Sequence, residues 1–511
     1  MKSTRSLQFA EMARNGIMAI AISLVANGCA VGPDFKPPES PSAAGNNSYT
    51  PTALPAQTVE AGGKSGDIQR FKFGEDIPAQ WWSLFHSEAL DTMIRTALLQ
   101  SPNMASAQAA LHQAQENYNA QSGSLLYPGV NGQFSDTRQR ISTLSFGIPG
   151  GSEFNLVNAS VNVSYTLDVF GAVRRTLEGA KAAVDYQRYQ VEATYLTLTA
   201  NLVTTAIKEA SLRGQLQATR EVLDAQQKQL AVIEKQFTLG AIPRSTLLTQ
   251  RSQVAQTLAS MPALEKALAQ TQHQLSVYAG RLPSESGMPE FQLDSLQLPQ
   301  DLPVALPSEL VRQRPDIRAS EELLHVASAQ IGVATANQYP QINLTGSYGS
   351  VATRIGDLFA KGSSIWSLAA GLTQPIFNGG ALSAKRRAAI AAYDQAEAQY
   401  RATVLIAFQN VADSLRALEF DAATLKAQAE VETVAQEALN LIRQQYQLGA
   451  VSYLALLDAE RSYQQAHIGL VQARATRFAD TAALFQALGG GWWNRQPLAD
   501  AASTELAGKA N

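Results

Sequence analysis

From Phe408 onward the apolar residues return at alternating intervals of three and four: Phe408, Val411, Leu415, Leu418, Ala422, Leu425 and Ala429. Positions on a seven-residue repeat line one side of a helix that winds left-handed around its neighbours, so this stretch predicts a coiled coil. Neither glycine nor proline interrupts the chain between Ala381 and Leu448. At 1.5 Å per residue that run would form one helix about 100 Å long. A companion run from Ala172 to Leu239 is interrupted only by Gly179 and Gly214. The runs end in Leu239-Gly240-Ala241 and Leu448-Gly449-Ala450, each followed by a second helical stretch. Glycine at such a point suits a left-handed helix cap, which predicts two antiparallel helical hairpins with tips near 240 and 449.

A different texture precedes each long run. Val157, Ala159, Val161, Val163, Tyr165, Leu167 and Val169 alternate with Asn158, Ser160, Asn162, Ser164, Thr166 and Asp168. Period-two alternation predicts a strand, here near 155–171. Val130, Gly132 and Phe134 mark another near 127–142. Ile342, Leu344, Gly346 and Tyr348 mark a third near 339–352, and Trp366, Leu368, Ala370 and Leu372 a fourth near 364–377. Such strands are long enough to cross a bilayer in a barrel. Four strands cannot close one, because lipid tolerates no open sheet edge, so the chain must oligomerise.

The two halves follow one plan. Pro102 with Leu111-His112 returns as Pro315 with Leu324-His325, and Tyr127-Pro128 as Tyr339-Pro340. Phe170 with Arg174-Arg175 returns as Phe377 with Arg386-Arg387. The common offset of roughly 210 residues marks an internal duplication. The expected division is a first repeat at 81–282, a linker at 283–307, a second repeat at 308–489 and a tail at 490–511. Trp81-Trp82 open a helical pattern that runs to about Ser122. Residues 33–80, rich in Pro, Ser, Ala and Gly, read as an extended tether.

Residues 1–28 read as a signal peptide: Lys2, Arg5 and Arg14 precede a short apolar stretch, Ile17 to Ala26, that cannot span a bilayer. It runs into Gly28-Cys29, and Cys29 is the single cysteine, so no intramolecular disulfide can form. A cysteine placed there fits lipoprotein processing, with the acylated Cys29 as first mature residue and outer-membrane lipid as its partner. Ala30, where an aspartate would commonly mean inner-membrane retention, points to the outer membrane. Charged residues are only 16% of the chain, which suits helices packed on one another. The net charge of −3 and the lack of a basic cluster argue against nucleic acid as a partner. His86, His112, His273, His325 and His467 are scattered without metal-ligand spacing, and no catalytic constellation is present. Neither a metal nor a cofactor is expected.

Several motifs carry a family likeness: Cys29-Ala30-Val31-Gly32-Pro33-Asp34-Phe35, Arg312-Gln313-Arg314-Pro315-Asp316-Ile317, Gln374-Pro375-Ile376-Phe377-Asn378-Gly379-Gly380 and Leu456-Leu457-Asp458-Ala459. With these the mature chain resembles TolC-type outer-membrane factors, most of all the lipoprotein, NodT-type branch that serves RND multidrug efflux pumps. The resemblance implies an α+β membrane protein: a homotrimer whose 12-stranded outer-membrane barrel continues into a coiled-coil periplasmic tunnel, with a belt built from the linker and the tail. It implies a passive exit duct for drugs or other small molecules, not an enzyme. The partners would be a periplasmic adaptor protein and an inner-membrane RND-type transporter. A duct for type I protein secretion and a poreless coiled-coil lipoprotein are the alternatives.

The resemblance also assigns residues. Asp458 matches an aspartate that forms a ring at the periplasmic constriction, and Leu454, one turn earlier, an apolar gate. Tyr446 matches a residue that helps hold the tip closed, although Val451 stands where some members carry an arginine. Gly240 and Gly449 match tip positions that meet the adaptor. The plainer alternatives are a surface aspartate paired with Arg461, coiled-coil packing for Leu454, and helix caps for the glycines.

Overall fold

A computed structural model describes residues 30–39, 48–63, 65–142, 144, 147 and 150–495. The expected signal peptide, the expected lipidation site Cys29 and positions 496–511 of the tail lie outside the described residues. Strand β1 (Arg70–Phe73) precedes helices α1 (Glu88–Gln100) and α2 (Pro102–Leu126). Strands β2 (Gly129–Ser142) and β3 (Gly151–Leu167) follow, then helices α3 (Ala172–Thr238) and α4 (Arg244–Tyr278). After β4 (Asp301–Val304) and α5 (Pro307–Gln313) come α6 (Pro315–Ala336), β5 (Gln341–Ala352), β6 (Ser364–Thr373), α7 (Ala381–Gln447) and α8 (Tyr453–Ala487). The order helix, strand, strand, helix, helix thus occurs twice. Helices α3 and α7 each have 67 residues, and α4 and α8 each have 35.

The chain folds into two compact units that cut across the expected repeats. One takes residues from Met1–Pro38, Ala110–Arg188 and Ala319–Arg401, the other from Glu39–Ala109, Tyr189–Arg318 and Ala402–Asn511.

In the first unit β2, β3, β5 and β6 form an antiparallel sheet in that order. Its register sorts the side chains by face. Val130 lies opposite Val163, Val161 opposite Tyr348, and Tyr348 opposite Trp366, all on one apolar face. The other face is polar and bonded across strands: Thr166 Oγ1 donates to Asn343 Oδ1 at 2.7 Å, and the hydroxyls of Ser347 and Ser367 lie 2.8 Å apart. Val130, Tyr348, Trp366 and Leu368 are exposed, so no described residue covers this part of the apolar face, whereas Val157 at the other end of β3 is buried. Strand ends differ from the sequence expectation for local reasons. β3 stops at Leu167, not near 171, because the Asp168 carboxylate accepts from the amides of Val173 and Arg174, both at 2.9 Å, and starts α3. β6 stops at Thr373, not near 377, because Pro375 has no amide to give the ladder.

The second unit holds the main core. Val411, Leu415, Leu418, Ala422 and Leu425 of the heptad series are all fully buried, and each large side chain among them contributes about 2 kcal/mol by leaving water. Trp81, Trp82 and Phe85 pack with Phe478 and Phe485 of α8 in the same cluster. α3 runs unbroken through Gly214, where a β-carbon would lie 2.9 Å from Val471 Cγ1; the glycine lets the helices close up. The helical pattern expected from Trp81 to about Ser122 is divided: Ser101 is extended before Pro102, which ends α1 and opens α2. The described part of the proline-rich segment expected as a tether is held to the rest of its unit. β1 within it pairs in parallel with β4 of the linker. Arg477, fully buried on α8, donates to the carbonyls of Ser65 and Asp67 at 3.0 and 2.6 Å, to Gln69 Oε1 and to Thr58 Oγ1.

Candidate gate at the hairpin tips

The two tips have the same build. Gly240 and Gly449 adopt φ of +74° and +75°, the left-handed region. Ala241 N donates to Gln236 O and Ala450 N to Gln445 O, both at 2.9 Å, closing each helix with the same bond. Leu239 and Leu448 beside them are largely exposed, and a β-carbon at either glycine would meet nothing within 4 Å. The tips are open to an incoming surface. Beyond the second tip the Ser452 hydroxyl accepts from Ala455 N and caps α8.

Asp458 lies four positions after Leu454, so they share a face of α8. Leu454 is 68% exposed and Asp458 is exposed. Leu456, Leu457, Ala459 and Glu460 are buried, so the face bearing Leu454 and Asp458 is the one this chain leaves uncovered. The exposure of Leu454 gives little support to coiled-coil packing within this chain, and Arg461 is engaged elsewhere: its Nε donates to Gln253 Oε1 at 2.7 Å. Tyr446 stands apart from both. It packs against Leu439, Leu456 and Ala459, with its ring 5.7 Å from that of Tyr453. Burial raises its pKa. Tyr446 thus packs within the hairpin, between α7 and α8.

The family description Outer membrane efflux protein matches residues 93–281 and again 306–490. The chain belongs to this family. It is 28% identical over 485 residues to the toluene efflux pump outer membrane protein TtgC of Pseudomonas putida, covering 94% of this chain and 96% of that one. Over 430 residues it is 32% identical to the pyoverdine export outer membrane protein OpmQ of Pseudomonas aeruginosa, covering 82% and 89%. Its fold is similar to that of the outer-membrane channel OprN, with a TM-score of 0.81, 24% identity and coverage of 91% and 100%. The family is one of outer-membrane efflux channels, not of enzymes, and this member has its place in the outer membrane.

Sequence reasoning missed the buried polar groups of this efflux protein. Glu460 lies two residues beyond Asp458 and is 8% exposed; burial raises its pKa, and Arg443, with Nη2 3.8 Å from Oε1, opposes that only weakly. Asp421 on α7 lies beside Asp480 on α8, and its carboxyl is pushed up to about 7 by burial and by that neighbouring carboxyl. The available signal was position: Asp421 immediately precedes the core residue Ala422.

Proposed function

We propose that three copies of this chain form a passive exit duct, the outer-membrane component of a tripartite efflux pump, fed by an inner-membrane transporter through a periplasmic adaptor. The sheet carries this reading. It has an uncovered apolar face, a hydrogen-bonded polar face and, among the described residues, two strands paired on one side only, β2 and β6. Unpaired edges cannot persist in hydrocarbon, so copies would join edge to edge and close a barrel with polar side chains inward. Three copies supply twelve strands, as the family likeness suggests.

The rest of the site follows from that assembly. The uncovered Leu454 and Asp458 would meet their symmetry mates near the axis, a leucine ring excluding water and a carboxylate ring favouring cations. The open tips at Gly240 and Gly449 would receive the adaptor, and acylation of Cys29 would add a lipid anchor. TtgC and OpmQ are named for toluene and pyoverdine, and small molecules of that range are the cargo proposed here. Crosslinking in isolated outer membranes, with drug accumulation in a deletion strain, tests the reading. Trimers and raised accumulation are expected; a detergent-free soluble monomer contradicts it.

A further inference from the structure

The charged residues of the four-stranded sheet are gathered in one place. They are Asp136, Arg138 and Arg140 of β2 and Glu153 of β3. Strand pairing sets Asp136 opposite Val157, Arg138 opposite Asn155 and Arg140 opposite Glu153, on the face that carries Phe134, Val161, Tyr348 and Trp366. The other face, with Asn131, Gln133, Asn158, Ser160, Asn343 and Ser347, carries no charge. A water-filled bore would hydrate charged side chains freely, so charges on the outward face call for a polar layer outside the barrel.

Their height matches such a layer. On β3 the outward positions from Leu167 to Val157 are apolar or tyrosine, and at a strand tilt of about 40° they climb about 25 Å, the height of a barrel's lipid-facing band. Asn155 and Glu153 come next, while on β2 Asp136, Arg138 and Arg140 follow Phe134. The exposed Tyr348 and Trp366 supply the aromatic girdle beneath. Helices α2, α3, α6 and α7 adjoin the sheet at its opposite end, so the β2–β3 hairpin end points away from the periplasm.

Both guanidiniums are open to an oxyanion. Arg138 Nη2 and Arg140 Nη1 lie 3.6 and 3.7 Å from the two oxygens of Glu153, close enough to gather both side chains there but too long for hydrogen bonds. A β-carbon on Gly151 would lie 2.8 Å from Arg140 Nε, so glycine there lets that side chain lie across the hairpin. Phosphate is the group a guanidinium holds through two parallel bonds. Asp136 and Glu153 balance the two arginines, which suits a headgroup layer carrying its own divalent counter-ions better than it suits a free anion. We infer that Arg138 and Arg140 bind the phosphates of the phosphorylated glycolipid in the outer leaflet of the outer membrane. This assignment rests on the barrel reading, and its test separates the two.

The probe is lipid A, a glucosamine disaccharide lipid with two phosphates. Titration of the detergent-purified full chain should show saturable binding, at least tenfold tighter than that of lipid A stripped of its phosphates, with no saturable binding of inorganic phosphate. Arg138→Gln combined with Arg140→Gln should weaken lipid A binding at least fivefold at unchanged melting temperature, since both side chains are exposed. Equal affinity for phosphorylated and stripped lipid A, equal binding by the double variant, or comparable binding of inorganic phosphate overturns the inference. Insertion into phosphatidylcholine vesicles, read as protease protection of the sheet, tests the barrel by itself. A chain that inserts yet ignores the phosphates sinks the glycolipid site alone, and one that does not insert sinks both.

Discussion

Asp458 and Glu460 stand two residues apart on α8 and face opposite ways, the first in solvent and the second against α3 and α7. Two residues turn a helix by about 200°, so the same helix can offer one carboxylate to a lumen and bury another between hairpins. This relationship yields a test of the gate. Leu454→Ala combined with Asp458→Ala should leave the hairpin core of Leu439, Leu456 and Ala459 intact. In planar bilayers the double variant should conduct severalfold more and lose cation selectivity, and block by divalent or trivalent cations should weaken. Unchanged conductance and block would place both side chains off the axis.

The tips give a second prediction. Because Gly240 and Gly449 sit at positive φ, any other residue there costs about 1–2 kcal/mol in backbone strain, too little to unfold helices of this length. At both glycines an added β-carbon meets no atom within 4 Å among the described residues. Gly449→Trp should therefore fold and insert normally yet fail to support efflux or to crosslink to an adaptor. Normal pumping by that variant would remove the tips from the docking surface.

Periodicity made most of the fold legible. The heptads announced α7, with Val411 to Leu425 fully buried as expected, and strict alternation announced β3 because a two-faced sheet has no other pattern to use. The ends were less legible. The carboxylate cap from Asp168 and the missing amide of Pro375 are single-residue effects that a window of alternating residues averages away. For the proline-rich segment composition suggested an extended tether, and what it could not show is the hold of Arg477, several hundred residues away in sequence, on the carbonyls of Ser65 and Asp67. Asp458 and Leu454 came from family likeness, whereas the burial of Glu460 emerges only when three helices are brought together.

Arg477 supports a third prediction. Burial pulls its pKa down to about 10, so it stays charged near neutrality. Replacing it with alanine strips the bonds to Ser65 O and Asp67 O and removes the cation near Asp421. The loss should cost about 3 kcal/mol, concentrated on the 56–69 segment. Limited proteolysis should cut Arg477→Ala first within that segment, while the sheet stays resistant. Simultaneous cleavage throughout the chain would mean that Arg477 supports the whole core.

The Asp421–Asp480 pair predicts the sign of a pH effect. The Asp421 carboxyl titrates at about 7 in the fold, against an ordinary value of 3.8, with burial as the first cause and the bond to Asp480 as the second. The folded chain therefore holds a proton that the unfolded chain has released between those values, and stability falls as pH rises from about 4 to about 7. Solvent screening at this half-buried site limits the loss to about 1–2 kcal/mol. Asp421→Asn removes the titrating carboxyl and leaves an amide that can donate to Asp480. It should melt higher than the wild type at pH 8, match it near pH 4, and flatten the profile between. A wild-type melting temperature that rises from pH 4 to pH 7, or one equal to that of Asp421→Asn at pH 8, would show that the two carboxyls do not share a proton.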